Sequence, residues 1–296
     1  MTKDNVSAHI TLMDPREFHF AVRKLRTFFD ERGFVEAPVQ HRLSILAACE
    51  DPRTVASYDY AGNVWPLPQT GQMWLEWELL TRPTAPGFYC QTTSYRNEPD
   101  PIPGRHDRIF QMFEFEMPGG MDELEQLEHD LLCHLGFDKA LIRAVEYEDM
   151  ALHFNTSELE ALHEERLWKE ISPTCLLRHF PQRTSPFWNM KREGDLSNKI
   201  DVILCGMESI GSAERSTDAD QMRREFHTIS DGMYADLLFS RFGKERVLNE
   251  LEQFLSFSFF KRCGGGIGMN RLIRAMKLCG LMPLFEEVEI KEAVTV

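Results

Sequence analysis

The chain has no apolar run approaching the length of a membrane-spanning helix, so no transmembrane segment is expected. It has no internal repeat and no low-complexity segment, and nothing in it calls for a repeat architecture. Its seven cysteines (Cys49, Cys90, Cys133, Cys175, Cys205, Cys263, Cys279) are scattered, and no two stand at zinc-ligand spacing. With no secretory signal at the start, they are expected to be reduced thiols in a cytoplasmic protein. Positive charge is scarce: 33 lysines and arginines against 47 acids leave a net charge of −14. That balance gives no help toward a polyanion and argues against a broad nucleic-acid-binding surface, while allowing local basic patches.

What is present suits a soluble globular fold. The 296 residues are 43% hydrophobic and 27% charged, long enough for a sizeable core in one large domain or two small ones. From Asp14 to Gly33 the chain has a helix start (Asp14, Pro15), apolar positions at helical spacing (Phe18, Val22, Leu25, Phe29) and a glycine stop. GFVEAPVQ reads as a strand ended by Pro38, and the stretch to Pro66 as irregular. Leu67–Leu80 reads as a turn and a short helix, PGFYCQTTSYRNE as a strand, and Met121–Phe137 as an amphipathic helix. Lys139–Glu170 looks helical with a break near Asn155, and its His153 and His163 lack the third ligand a zinc site needs. TCLLRHFP, PFWNMKR and KIDVILCGMESIGS read as strands, and Thr217–Phe257 as helical with a turn near Gly243. KRCGGGIGMNRLIRAMKLCGL reads as a glycine-rich strand entering a helix.

The most informative stretch is Ser94 to Glu116. Pro99, Pro101, Pro103 and Gly104 exclude a helix, so two strands joined by a polar loop are expected. On the second strand Phe110, Met112, Glu114 and Glu116 share one face, and Gln111, Phe113 and Phe115 the other. Carboxylates beside apolar side chains need partners or a ligand. An aromatic ring, acids and guanidiniums together suit a nucleotide, although the same residues also fit an ordinary hairpin with surface ion pairs. Two further stretches carry similar signals. In DVILCGMESIGSAER, Asp201 and Glu208 leave an apolar strand ahead of Arg215; in CGGGIGMNR, glycines permit close approach of a ligand and Arg271 can reach a phosphate.

Taken together and in this order, these segments resemble the catalytic domain of class II aminoacyl-tRNA synthetases, in the aspartyl, asparaginyl and lysyl branch. The first helix with GFVEAP looks like motif 1, YRNE through RHDRIFQMFEFE like motif 2, and GGGIGMNR like motif 3. FPQRTSPFWNMKREGD and MESIGSAER fit the aspartyl and asparaginyl sub-branch better than the lysyl one.

The resemblance implies an α+β fold, a six-to-seven-stranded antiparallel sheet flanked by helices in one domain over residues 1–296, and a homodimer formed through motif 1. It implies ATP and Mg²⁺ as cofactors and activation of an amino acid as an acyl-adenylate. By position, Arg96 would hold the α-phosphate and the reacting carboxylate, Phe110 would stack on adenine, and Glu98 would lie near its amino group. Arg105 and His106 would contact the outer phosphates, and Arg271 would clamp the γ-phosphate. Asp201 and Glu208 would bind Mg²⁺. Glu50, Thr70, Gln72 and Glu114 would surround the substrate ammonium, and Arg215 would face the distal group, favouring a carboxylate or carboxamide.

Departures from the family pattern bear on the substrate. Leu75 stands where aspartyl enzymes place a lysine, and Glu76 after it looks closer to the asparaginyl arrangement. Ile109 replaces the usual glutamate before the stacking ring, and Asn270 the usual acid before the motif 3 arginine. The family's anticodon-binding OB domain, which would precede motif 1, is not expected here, and with the acidic charge this argues against tRNA as acceptor. The expected activity is AMP-forming ligation of an aspartate- or asparagine-like amino acid to ammonia or a small amine. The alternatives are acylation of a tRNA, protein or metabolite, and a non-catalytic regulatory role.

Overall fold

The computed structural model describes residues 12–39 and 52–285. Asp14 caps the first helix, α1 (Pro15–Asp30), accepting a hydrogen bond from the Arg16 backbone N–H at 2.8 Å, and Pro15 supplies the φ of a first helical turn. Val22, Leu25 and Phe29 are buried as the spacing predicts, and Phe18 packs partly exposed against the same core. The chain then enters a two-residue strand, β1 (Val35–Glu36). A separate hairpin follows, β2 (Ser57–Tyr60) and β3 (Asn63–Pro66). Next come α2 (Gln72–Thr81), β4 (Phe88–Tyr95), β5 (Ile109–Pro118) and α3 (Met121–Leu135). The middle of the chain holds β6 (Ile142–Glu146), α4 (Tyr147–His153), α5 (Ala161–Arg166), β7 (Thr174–Pro181), β8 (Arg192–Glu193), β9 (Leu196–Leu204) and β10 (Met207–Glu214). Three helices, α6 (Ala219–Thr228), α7 (Met233–Phe242) and α8 (Lys244–Leu255), precede β11 (Arg262–Gly268) and α9 (Met269–Leu278).

The main sheet runs β1-β4-β5-β11-β10-β9-β7-β6, with β8 paired to β9. Its six central strands, β4 to β7 in that order, are antiparallel as expected. The sheet is larger than expected because each edge adds a parallel strand, β1 beside β4 and β6 beside β7. Helices α1, α3 and α9 cover one face, where Phe113, Phe115, Ile200, Val202, Ile210 and Ile267 form the core with them. A second apolar cluster around Trp188, Phe226, Tyr234 and Phe254 joins α6, α7 and α8 to α2. No helix among the described residues is long and apolar enough to cross a membrane.

Four expectations for the chain path are corrected. β6 lies inside the stretch expected to be helical; it is a half-exposed edge strand whose pairing with β7 outweighs the local helical pattern. The residues before β8 in PFWNMKR form turns with an isolated bridge from Met190 to Arg215, not a strand. KIDVILCGMESIGS is not one strand but the hairpin β9–β10, reversed at Cys205–Gly206, where φ is 47° and 79°. The irregular stretch before Pro66 contains β2–β3, reversed in the same way at Ala61–Gly62, φ 51° and 75°. Two-residue hairpin turns require positive φ at both positions, usually supplied by Asn-Gly or Asp-Gly, and neither Ala-Gly nor Cys-Gly carries that signature.

Candidate active site

The parity read from β5 sets the site. Phe113 and Phe115 point into the helix-covered core, while Phe110, Met112 and Glu114 line a cavity of about 670 Å³ on the opposite face. The expected nucleotide residues Arg96, Glu98, Arg105, His106, Phe110, Glu208 and Arg271 all line it. So do the expected substrate residues Thr70, Gln72, Glu76, Glu114 and Arg215. Arg96, Arg271 and Glu208, contributed by three distant segments, therefore share one space. Glu50 lies outside the described residues.

Around Arg96 and Arg271, where a nucleotide is expected, cations stand beside acids. His106 Nδ1 is 2.7 Å from Glu98 Oε1, and Arg105 is 2.6 Å from Glu164 at the start of α5. Arg271 donates to the Glu208 carbonyl at 2.7 Å and lies 3.6 Å from its carboxylate. The Arg96 guanidinium sits over the Phe110 ring, 5.4 Å from its centroid. Asn270, which stands where the family has an acid, donates to Asp107 at 2.6 Å and ties the start of α9 to the loop between β4 and β5. Burial pushes Glu208 upward, but the charges of Lys199, Arg271, Arg96 and Arg105 outweigh it and hold its carboxyl below the ordinary value.

Around Arg215, where an amino acid is expected, the charges are buried and each is multiply bonded. Arg262, fully buried, donates to Glu76 Oε2 through Nε at 3.0 Å and NH2 at 2.7 Å, and Asn189 reaches Glu76 Oε1 at 2.5 Å. Arg215 donates to Glu116 at 3.3 and 3.2 Å and to the Gly264 carbonyl at 3.2 Å, and Gln72 also donates to Glu116. A Cβ on Gly264 would stand 2.0 Å from Glu116 Oε2, so glycine here makes room for this acid rather than for a ligand. Burial pushes Glu116 up to about 7 against the pull of Arg215. Glu114 accepts from Thr70, from the Gly71 backbone N–H at 2.7 Å and from Thr92 at 2.6 Å, and burial still raises its carboxyl above the ordinary value. Thr70 and Glu114 therefore bond each other as well as facing the cavity. Leu75 points away, into an apolar cluster with Leu79, Phe88 and Cys90.

The pair expected to hold Mg²⁺ departs from expectation. Asp201 does not line the cavity as Glu208 does, although both carboxylates converge over Gly211: a Cβ there would meet Glu208 Oε1 at 2.9 Å and Asp201 Oδ1 at 3.7 Å. The Lys199 ammonium already lies 2.8 Å from Asp201 Oδ2. Among the described residues no group of three or more His, Cys, Asp or Glu side chains is placed to hold a metal ion. Two carboxylates, one of them held by a lysine, offer too few free oxygens to hold a divalent ion without substrate phosphates.

Three contributors were missed in the sequence, and a fourth, Glu116, was read as a carboxylate in need of a partner but given no role. Lys199 had a detectable signal, since it shares a strand face with Asp201 two residues on. Arg262 and Asn189 carried none, because they reach Glu76 only through the fold.

Comparisons with known proteins agree with this fold. The family model for tRNA synthetases class II (D, K and N) matches residues 16–282. No curated relative matches the chain. Among solved structures, asparaginyl-tRNA synthetase from Pyrococcus horikoshii, complexed with asparaginyl-adenylate, is similar with a TM-score of 0.71 at 17% identity, covering 88% of this chain and 64% of its own. The Entamoeba histolytica asparaginyl-tRNA synthetase in complex with asparaginyl-adenylate gives 0.69 at 18%, covering 92% and 66%. A putative aspartyl-tRNA synthetase from Leishmania major Friedlin gives 0.69 at 15%, covering 92% and 65%. The chain thus spans just under two thirds of the length of these relatives, and at such identities the likeness is one of fold.

Proposed function

Because the chain belongs to the class II tRNA synthetases (D, K and N), a family of ATP-dependent ligases, we propose that it activates an aspartate- or asparagine-like amino acid as an acyl-adenylate and passes the acyl group to ammonia or a small amine. The observation that carries this reading is the single cavity holding Arg96, Phe110, Glu208 and Arg271 at one end and the buried Arg215 cluster at the other.

In the first step a carboxylate oxygen of the amino acid attacks the α-phosphorus of ATP, which enters as its magnesium complex. The bond to the β-phosphate oxygen breaks and pyrophosphate leaves. Arg96 faces the charge that builds at phosphorus, and Arg105 and Arg271 meet the outer phosphates, exchanging their present acid and carbonyl partners for phosphate oxygens. In the second step the amine lone pair attacks the acyl carbon, AMP departs and the nitrogen loses a proton. Arg215 is shared with Glu116, so a carboxamide suits the distal position: its oxygen can accept from Arg215 while its N–H donates to Glu116. A carboxylate suits it when Glu116 is protonated. A homodimer through α1 and β1 in a cytoplasmic setting belongs to the same proposal, supported by Val35 lying half-exposed at the sheet edge.

Incubation with ATP, Mg²⁺, aspartate or asparagine, and ammonium should release AMP and pyrophosphate. ADP and phosphate as products would rule out the adenylate. Charging of total tRNA with no amide product would move the acceptor to tRNA, the second reading, which the fold likeness to asparaginyl- and aspartyl-tRNA synthetases favours.

A further inference from the structure

We propose that Lys199 is a tethered cation that occupies, at the Asp201–Glu208 pair, the position a divalent metal ion would otherwise take. The inference deepens the adenylation reading and rests on it for its catalytic consequence, though not for its test. Lys199 and Asp201 lie two residues apart on β9 and so project from the same face, opposite Ile200 and Val202 in the helix-covered core. Gly211 is the register partner of Asp201 on β10, and with no side chain there the Glu208 carboxylate folds back over it toward Asp201. The Lys199 ammonium reaches into this arrangement from the cavity wall, 2.8 Å from Asp201 Oδ2 and 4.0 Å from the centroid of the Phe180 ring. With the Lys199 side chain only 15% exposed and that of Asp201 10%, this is no solvated surface pair. An aromatic face and a carboxylate together hold an ammonium, whereas a divalent ion takes oxygen ligands and waters.

The nearby charges follow the same logic. Glu208 lies in the field of Lys199 from β9, Arg271 from α9, and Arg96 and Arg105 from the loop after β4, while Asp201 meets Lys199. With four cations acting on Glu208 and one of them bonded to Asp201, the pair has little need of a divalent ion. In the proposed reaction the ammonium supplies positive charge to the pyrophosphate leaving group from this wall.

The test reads metal binding alone, without nucleotide or amino acid, so it stands or falls separately from the adenylation assay. Mn²⁺ uptake by the nucleotide-free protein is followed by the loss of its free-ion electron paramagnetic resonance signal. Wild type and Lys199→Arg should take up no ion at this pair. Lys199→Met, checked for folding by its circular dichroism and melting curve, should gain one ion per chain, bound at least about a hundredfold more tightly than by wild type. The added change Asp201→Asn should abolish that gain. The proposal is overturned if wild type binds one Mn²⁺ as tightly as Lys199→Met does, or if folded Lys199→Met binds none. Should Lys199→Met fail to fold, Asp201→Asn in the wild-type background decides: loss of a bound ion on that change overturns the proposal, and absence of an ion in both proteins upholds it.

Discussion

The two ends of the cavity use the same residue types under opposite conditions. Around Arg96 and Arg271, the Arg105–Glu164 and His106–Glu98 pairs are single ionic contacts that water still reaches, the first at 12% and 17% exposure and the second at 27% and 25%. Around Arg215, Arg262 and Glu76 are fully buried and joined by two hydrogen bonds, with Asn189 completing the acid's shell. A pair that water still reaches is cheaper to break and can be traded for another anion, whereas a fully buried pair is costly to break because the remaining charge has no water. The end around Arg96 and Arg271 is therefore built to exchange partners and the end around Arg215 to keep them.

The sharpest way to break this comparison is to remove one cation from each end. Arg262→Ala strands Glu76 in the core and should cost about 3–5 kcal/mol of stability in urea titration. Arg105→Ala, which leaves Glu164 within reach of water, should cost less, about 1–2 kcal/mol. Equal losses would mean that the two ends do not differ in kind.

Activity should divide the other way. Arg96→Ala removes a donor aimed at developing charge and should lower ATP–pyrophosphate exchange about 10²–10³-fold, with a melting temperature close to that of wild type. An unchanged exchange rate would take Arg96 out of the reaction.

The last effect is one of pH and comes from a buried acid on the other face of the sheet. Glu128 on α3 is fully buried near Ser212 on the far face of the sheet, and burial pushes its carboxyl from 4.5 up to about 8. Because the folded-state value is raised, the stability it contributes is fully present below about 4.5 and is lost as pH rises through about 8. Glu128→Gln should leave the melting temperature nearly unchanged near pH 4 and raise it near pH 8. A gain independent of pH would show that the carboxyl is not held protonated by its surroundings.

Several of these features could be read in the chain. Alternation on β5 put Phe113 and Phe115 on one side and Phe110 and Glu114 on the other because strand parity is local. The capped α1, with its Val22, Leu25 and Phe29 stripe, was legible for the same reason. The hairpins at Ala61–Gly62 and Cys205–Gly206 were not, since their first residues do not announce a left-handed conformation that the flanking strands impose. The role of Leu75 was half-legible: the missing cation could be seen, but not that Arg262, far along the chain, supplies a guanidinium to Glu76.

The order and spacing of the three motifs sufficed to determine the family and the antiparallel centre of the sheet and to name most of the residues that line one cavity, because each motif is a short segment whose geometry its own neighbours set. Which charge pairs with which was decided only by the tertiary structure. Burial and distance govern whether Arg215 waits for a ligand or already holds Glu116, and whether the site between Asp201 and Glu208 awaits a metal ion or is served by Lys199; both depend on strands that come together only when the sheet closes.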